Sequence, residues 1–173
     1  MSAATDSFDL TSLRMTAGEG RKLELTVAID PFELGENTYT VAPPTIPVEL
    51  QISRTTGQGY ALRLQFEATL DGACMRCLES ATPHFVIDAR EVSQPRAGDE
   101  LDSPYVGDGT LALAAWARDA LALMLPAAVL CRSDCAGLCA VCGIDLNAAG
   151  PDHRHESQPD SRWAKLAELK FDQ

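Results

Sequence analysis

Four segments in the first half of the chain alternate apolar and polar side chains, which is the two-residue period of a half-buried β-strand. They span residues 23–30, 48–53, 60–70 and 84–92. The third segment is the clearest, because every even-numbered position from 60 to 70 is apolar. Turn residues such as Asp71 and Gly72 separate the segments at hairpin spacing. We therefore predict an antiparallel β-sheet over residues 21–92, with the first CxxC pair included.

Prolines and polar segments interrupt this pattern and bound the sheet. Pro31 follows the first strand, and Pro43, Pro44 and Pro47 break the chain before the second. The polar, mixed residues 1–20 are predicted to form a flexible N-terminal lead. Residues 93–109 are acidic and rich in glycine and proline, so we predict a solvated acidic loop there.

An alanine- and leucine-rich stretch over residues 110–125 is the best helix candidate, with Thr110 as its cap and Pro126 as its end. Its apolar side chains lie almost all round, which is typical of a helix buried on more than one side. One stripe at helical spacing consists of Leu111, Ala114, Ala115, Arg118, Leu121, Ala122 and Leu125. A second, short helix is predicted over residues 161–170, with Trp163 on its inner face.

These elements predict an α+β fold in which one or two helices pack on an antiparallel sheet. Residues 110–173 would combine the main helix, a cysteine-rich zinc-binding segment and the short C-terminal helix. The 46% apolar and 23% charged side chains indicate a globular protein. A length of 173 residues allows one well-cored domain or a domain with a small appended module, and we predict a single domain overall.

The formal net charge of −11 narrows the range of partners. The chain lacks the generally basic surface that binds nucleic acid by counterion release. Its negative electrostatic field is better suited to a basic protein partner. No stretch approaches the roughly 20 apolar residues that cross a bilayer. Residues 1–13 lack a basic region followed by an apolar run, so no secretory signal is predicted. We expect a cytoplasmic protein without membrane contact.

Six cysteines change the picture, because their spacing is that of metal ligands. Two CxxC pairs, Cys74/Cys77 and Cys139/Cys142, accompany Cys131 and Cys135, which are four positions apart. Cytosolic thiols are kept reduced, and short steps suit converging ligands better than disulfides between distant positions. Two further candidates, His153 and His155, follow in the sequence. We predict zinc, with one ion expected and two allowed by the eight candidates.

Three groupings of these ligands are open from spacing alone. The first places Cys131, Cys135, Cys139 and Cys142 on one ion and leaves Cys74 and Cys77 as a spare dithiol. The second joins Cys74 and Cys77 to Cys131 and Cys135, and gives Cys139, Cys142, His153 and His155 a second ion. The third pairs the two CxxC turns in the manner of a zinc ribbon.

No local motif for catalysis accompanies the cysteines. A catalytic zinc keeps an open position beside a Glu or His base, and neither HExxH nor HxE…PCxxC occurs in the sequence. A thioredoxin-like dithiol needs its CxxC at a helix N-terminus, whereas Cys74 follows a strand. His84, alone on a strand, is interpreted as an ordinary surface or core histidine. We expect no enzymatic activity.

The order of the motifs resembles the YceD-like family, the large ribosomal RNA subunit accumulation proteins. The resemblance rests on Cys74-Met-Arg-Cys77-Leu, an apolar helix closing on Leu125-Pro126, and the segment from Cys131 to Asn147, followed by residues 160–169. It covers about residues 20–173 and is best from Cys74 onward. Some family members retain only the first CxRC and a pair after the Leu-Pro, which favours the second grouping. After Asn147 many relatives carry further cysteines, where this chain has His153 and His155.

The resemblance implies a non-enzymatic role in the accumulation or processing of large-subunit ribosomal RNA during ribosome assembly. The expected partners are a large-subunit RNA precursor, a small basic ribosomal protein, or both; the oligomeric state is left open. Two alternatives are an acidic adaptor that binds the basic protein without touching RNA, and a thiol-based enzyme or redox sensor. We further predict that Arg76, Arg132 and Arg154 lie around the metal and contact phosphate.

Overall fold

The structure is a computed structural model that describes residues 4–94 and 101–155. The chain divides into two compact units, Met1–Cys135 and Ala136–Gln173, where the sequence predicted a single domain. The predicted helix over residues 161–170 and part of the predicted acidic loop, residues 95–100, lie outside the described residues. Antiparallel strands with one main helix confirm the α+β class. The described residues contain no helix long and apolar enough to cross a membrane.

Ten strands form in the described part of the first unit. They are β1 (Phe8–Asp9), β2 (Gly20–Ala28), β3 (Phe32–Leu34), β4 (Asn37–Ala42), β5 (Thr45–Arg54), β6 (Tyr60–Ala73), β7 (Ser80–Ala81), β8 (His84–Ser93), β9 (Val106–Gly107) and β10 (Thr110–Leu111). The four strands predicted from period two are confirmed as β2, β5, β6 and β8. Strand β2 begins three residues and ends two residues earlier than predicted, and the other three are longer than predicted by one to several residues.

Strand β6 is the centre of the main sheet. One of its edges pairs first with β5 and then with β4, and its other edge pairs with β8 and then with β7. Strand β2 continues the sheet beyond β5. The even-numbered side chains of β6 from 60 to 70 are all buried, as their period predicted. Because β6 runs into the first CxxC pair, the core of the sheet fixes where those cysteines begin.

Pro47 is a correction, because it lies inside β5 and does not break the chain before it. It pairs opposite Thr26 of β2, while pairing with β6 begins only at Val48. The hairpin of β3 and β4 was not predicted either; it turns through Gly35, whose φ of 66° suits glycine.

The predicted mobile lead over residues 1–20 differs from the structure. Phe8 and Asp9 pair with Leu111 and Thr110, and a 3₁₀ helix follows over Leu10–Leu13. Leu10 is fully buried, so hydrophobic burial holds this segment in place. The end of the predicted acidic loop, Val106–Gly107, is likewise a strand that pairs with β10.

The main helix, α1, spans Leu113–Ala122 instead of the predicted residues 110–125. Thr110 does not cap it, because Thr110 belongs to β10 and pairs with Gly107. Ala112 occupies the cap position and makes no side-chain capping bond. The buried face also differs from the stripe at helical spacing: it consists of Leu113, Trp116, Ala117, Ala120 and Leu121. This face lies toward β2 and β8.

The described part of the second unit is short. Leu138 and Asp145 form an isolated antiparallel bridge, and a four-residue helix, α2, spans Leu146–Ala149. The Asp145 side chain caps α2 by accepting a hydrogen bond from the N–H of Asn147, at 2.9 Å. The Asn147 side-chain oxygen accepts from the N–H of Ala136, at 2.8 Å. These bonds fold the segment back on itself around the second CxxC pair.

Candidate metal centres

The first CxxC pair lies in a tight turn directly after β6. The N–H of Cys74 donates to the carbonyl of Glu79 at 2.7 Å, and the N–H of Leu78 donates to the carbonyl of Cys74 at 3.0 Å. Leu78 has a φ of 64°, which closes the turn toward β7. Tyr39 supports the end of β6 just before this turn, because its hydroxyl donates to the carbonyl of Ala73 at 2.6 Å. The two thiols are thus placed by the sheet itself.

The segment after α1 passes beside this turn and is held there by Met75. The N–H of Met75 donates to the carbonyl of Val129 at 2.9 Å, and the N–H of Val129 lies 3.4 Å from the Met75 sulfur. Val129 is fully buried. This two-point contact brings Cys131 and Cys135 to the CxxC turn. The sequence analysis did not predict this contact. The one signal for it was that Met75 is an apolar residue between two ligands, which indicates a packing role.

Four sulfurs converge where these two segments meet. The Sγ atoms of Cys74 and Cys135 are 3.8 Å apart, and those of Cys77 and Cys131 are 3.6 Å apart. All four lie within 4.8 Å of one another. A zinc tetrahedron with Zn–S bonds of about 2.3 Å has edges of about 3.8 Å, whereas a disulfide would bring two sulfurs to about 2.05 Å. We name Cys74, Cys77, Cys131 and Cys135 the four-cysteine cluster; its spacing fits a metal ion.

Burial makes the four-cysteine cluster a closed site. Cys74, Cys77 and Cys135 are buried, and only Cys131 is exposed. Four thiolate ligands complete a tetrahedron and leave no position for a reacting water, which is the arrangement of structural zinc. The site therefore suits holding two chain segments together.

The thiols of this cluster have strongly divided acidities. Burial works to raise the pKa of Cys74, but backbone N–H groups of Cys77, Arg76 and Cys131 outweigh it and lower the pKa to about 6. At Cys77, a hydrogen bond with the backbone of Glu79 lowers the pKa. Burial and hydrogen bonds with the three neighbouring thiols outweigh it and raise the pKa to about 12. Burial also raises the pKa of Cys131. One thiol thus loses its proton readily, and the negative charge it gains makes it harder to deprotonate the neighbouring thiols. A divalent cation bound among the four sulfurs would offset this repulsion between thiolates.

A second set of ligand atoms gathers in the second unit. Cys139, Cys142, His153 and His155, the Cys2His2 cluster, have one ligand atom each within 4.8 Å of the others. The turn is closed by the N–H of Gly143, which donates to the carbonyl of Cys139 at 2.8 Å, and by the N–H of Cys139, which donates to the carbonyl of Ile144 at 2.8 Å. Gly143 has a φ of 72°, which a residue with a side chain rarely adopts.

The distances in the Cys2His2 cluster are close to those of a mixed tetrahedron. Cys142 Sγ lies 3.4 Å from His153 Nε2, against about 3.5 Å for a zinc site with these two ligand types. The two Nε2 atoms are 2.9 Å apart, shorter than the edge of about 3.3 Å, so they would separate slightly around an ion. Hydrogen bonds from the backbone of Cys142 and Val141 lower the pKa of Cys139 to about 6. Cys142 and His155 are exposed, so this cluster is open to solvent.

The eight predicted ligands therefore fall into the second of the three groupings. The first grouping is wrong for this structure, because Cys131 and Cys135 contact Cys74 and Cys77. The third is wrong because the two CxxC pairs belong to different clusters. His84 belongs to neither: its Nδ1 lies 3.2 Å from the Thr69 hydroxyl and its Nε2 3.5 Å from Glu67.

The three predicted arginines are engaged differently from one another. Arg76 donates to the carbonyl of Cys135 at 3.0 Å, so it braces the four-cysteine cluster. Arg132 is exposed and forms an ion pair with Asp134 at 3.2 Å. Arg154 belongs to the second unit and is exposed between the two histidine ligands.

Comparison with known proteins places these ligands in a known family. A family model described as large ribosomal RNA subunit accumulation protein YceD matches residues 62–170, a span that contains all eight ligand candidates. Uncharacterized proteins of Mycobacterium bovis and Mycobacterium tuberculosis are 38% identical over 157 residues, covering 80% of this chain and 73% of each relative. An uncharacterized protein of Mycobacterium leprae is 37% identical over 102 residues, covering 56% of this chain and 46% of the relative. No solved structure matches.

Proposed function

Because this chain belongs to the YceD family of large ribosomal RNA subunit accumulation proteins, we propose that it is a non-enzymatic, zinc-stabilised factor in large-subunit assembly. Family membership implies a role in the accumulation of large-subunit ribosomal RNA and carries this proposal. The finer statements, zinc as the ion, a cytoplasmic site of action and direct assistance to assembly, are parts of the proposal.

The four-cysteine cluster supports a structural role for the metal. It would join the end of β6 to the segment after α1, and its sulfurs leave no open coordination position. Three of its thiols are buried, which disfavours a thiol enzyme that must present a reactive cysteine to a substrate. The metal would therefore shape a binding surface and take no part in a reaction.

Depletion of the protein in its host tests the role in RNA accumulation. We expect the ratio of large-subunit to small-subunit ribosomal RNA to fall and large-subunit precursors to accumulate on sucrose gradients. Wild-type protein and Ser133→Ala should restore the ratio, since the exposed Ser133 lies between two ligands and is not itself one. Cys74→Ser should fail to restore it. An unchanged ratio after full depletion would remove the proposal.

A second candidate function is an acidic adaptor that binds a small basic ribosomal protein without touching RNA. The net charge of −11 favours it, because complementary potentials accelerate encounter with a basic partner. Crosslinking to RNA by ultraviolet irradiation distinguishes the two candidate functions. RNA crosslinks to the protein favour the first candidate, whereas salt-sensitive binding to a basic large-subunit protein with no RNA crosslinks favours the adaptor.

A further inference from the structure

Strand β8 forms an edge of the main sheet that is open to pairing. Its ten residues, His84–Ser93, pair with β6 along one side. Within residues 4–94 and 101–155, no strand pairs with its other side. Such an edge presents unpaired backbone N–H and C=O groups that can add a further strand.

The outward side chains of β8 are unusual for an exposed strand. Val86 is 63% exposed and Val92 is 43% exposed. Among the described strands, these two are the large apolar residues that remain exposed. Between them, on the same face, lie Asp88 and Arg90, so the outward sequence reads valine, acid, base, valine.

This order is self-complementary when two strands run antiparallel. We propose that β8 is a self-association edge, on which a second copy of this chain pairs antiparallel about a two-fold axis at Ala89. Val86 of one copy then lies opposite Val92 of the other, twice. Asp88 likewise lies opposite Arg90, twice. Each of these cross-strand pairs is favourable on its own, and together they give the joined sheet an apolar–charged–apolar seam.

The charges also select this register over its neighbours. A shift that moves the axis to residue 88 would place Asp88 opposite its own copy, and a shift to residue 90 would place Arg90 opposite its own copy. Like charges directly opposite are destabilising. A one-residue shift would turn the outward face of one strand inward. The symmetric register about Ala89 avoids all three conflicts.

Existing contacts hold the acid of this seam in place before a partner arrives. Asp88 receives two hydrogen bonds from Arg63 of β6, one from Nε at 2.7 Å and one from Nη2 at 2.5 Å. Arg63 uses one position on each carboxylate oxygen, so further acceptor positions remain for the partner's arginine. On the inner face the same register sets Glu91 opposite Ile87.

Analytical ultracentrifugation of the full chain with charge variants tests the proposal. The wild type should show a concentration-dependent monomer–dimer equilibrium. Arg90→Asp makes positions 88 and 90 both acidic, and Asp88→Lys makes them both basic. Each variant alone should dimerise at least tenfold more weakly, a change of about 1.4 kcal/mol. An equimolar mixture of the two should dimerise again, since acidic and basic edges then face each other.

Two further variants keep the test independent of folding defects. Arg21→Asp makes the same charge change on β2, at the opposite edge of the sheet, and should leave the dimer dissociation constant unchanged. Val86→Lys alters a side chain that is largely exposed, so it should fold normally and still weaken the dimer. A wild-type protein that stays monomeric at all concentrations overturns the proposal. So does a dimer that Arg90→Asp and Val86→Lys leave intact. Neither outcome bears on the role in RNA accumulation.

Discussion

At the scale of single residues, the four-cysteine cluster depends on ligands from distant parts of the chain. Cys74 and Cys135 are 61 positions apart, so an ion that binds both closes a long loop of the unfolded chain. A covalent link across such a loop stabilises a fold by about 4 kcal/mol in the chain-entropy model. Metal binding that requires the folded site acts in the same sense.

We therefore expect Cys74→Ser to lower the free energy of unfolding of the zinc-loaded protein by about 2–4 kcal/mol. Serine oxygen is a poor replacement for thiolate on zinc, and Cys74 is fully buried. Urea unfolding followed by circular dichroism measures the loss. Ser133→Ala, in the same cysteine segment but exposed, is the control and should change little. Equal stability of Cys74→Ser and wild type would show that the cluster holds no metal.

Gly72 tests how the sheet places the first cysteine pair. A Cβ atom at this position would overlap the ring of Tyr39, which is fully buried and cannot move outward. We expect Gly72→Ala to cost about 1–3 kcal/mol through overpacking. Tyr39→Phe keeps the ring and removes the bond to the Ala73 carbonyl, so it should cost about 1 kcal/mol. Thermal unfolding ranks the two; a tolerated Gly72→Ala would contradict the close packing beneath the cysteine turn.

The ligand types were predictable from sequence, but their grouping was not derivable from spacing. CxxC pairs and nearby histidines indicate a metal whatever the fold. Which pairs meet depends on where the chain passes after α1, and this is decided by the contact of Met75 with Val129. That contact joins segments more than fifty positions apart and has no periodic signal. Only the resemblance to a family had favoured the observed grouping.

At the scale of elements, period two predicted the long strands and failed at short ones. Strand β6 shows eleven alternating residues, so local pattern and tertiary burial agree. Phe8–Asp9, Val106–Gly107 and Thr110–Leu111 are two residues each and form a small three-stranded sheet by pairing with one another. This pairing also takes Thr110 out of the predicted helix cap. Because α1 is apolar on nearly all sides, its sequence does not show which face is buried. That face is determined by packing against the sheet.

The last turn of helix α1 and the residue that caps it offer a matched pair of leucines that tests this inner face. Leu121 is fully buried, whereas Leu123, two positions later, is 87% exposed. We expect Leu121→Ala to cost about 2–5 kcal/mol, because it removes buried side-chain contacts and leaves a cavity. Leu123→Ala should change the free energy of unfolding by less than about 0.5 kcal/mol. Urea titrations of both variants decide; a similar cost for the two would mean that the helix is turned differently on the sheet.

At the scale of the whole molecule, the two clusters divide between the two compact units. The four-cysteine cluster lies entirely in Met1–Cys135, and the Cys2His2 cluster entirely in Ala136–Gln173. The first is mostly buried and the second mostly open to solvent. A buried site releases its ion only when the surrounding structure opens, whereas an exposed one exchanges without that cost. The two sites should therefore differ in metal exchange as well as in their importance for the main sheet.

This division predicts the outcome of zinc counting on the full chain. The wild type should carry two zinc ions by elemental analysis, and both double variants, Cys74→Ser with Cys77→Ser and Cys139→Ser with Cys142→Ser, should carry one. Only the first double variant should lower the melting temperature of the main sheet, because its ligands join β6 to the segment after α1. On addition of a chelator, the wild type should lose one ion quickly and the other slowly, and the Cys139/Cys142 variant should show only the slow phase. Were the slow phase instead lost from that variant, the buried cluster would not be the tighter site, and the structural role assigned to its metal would fail.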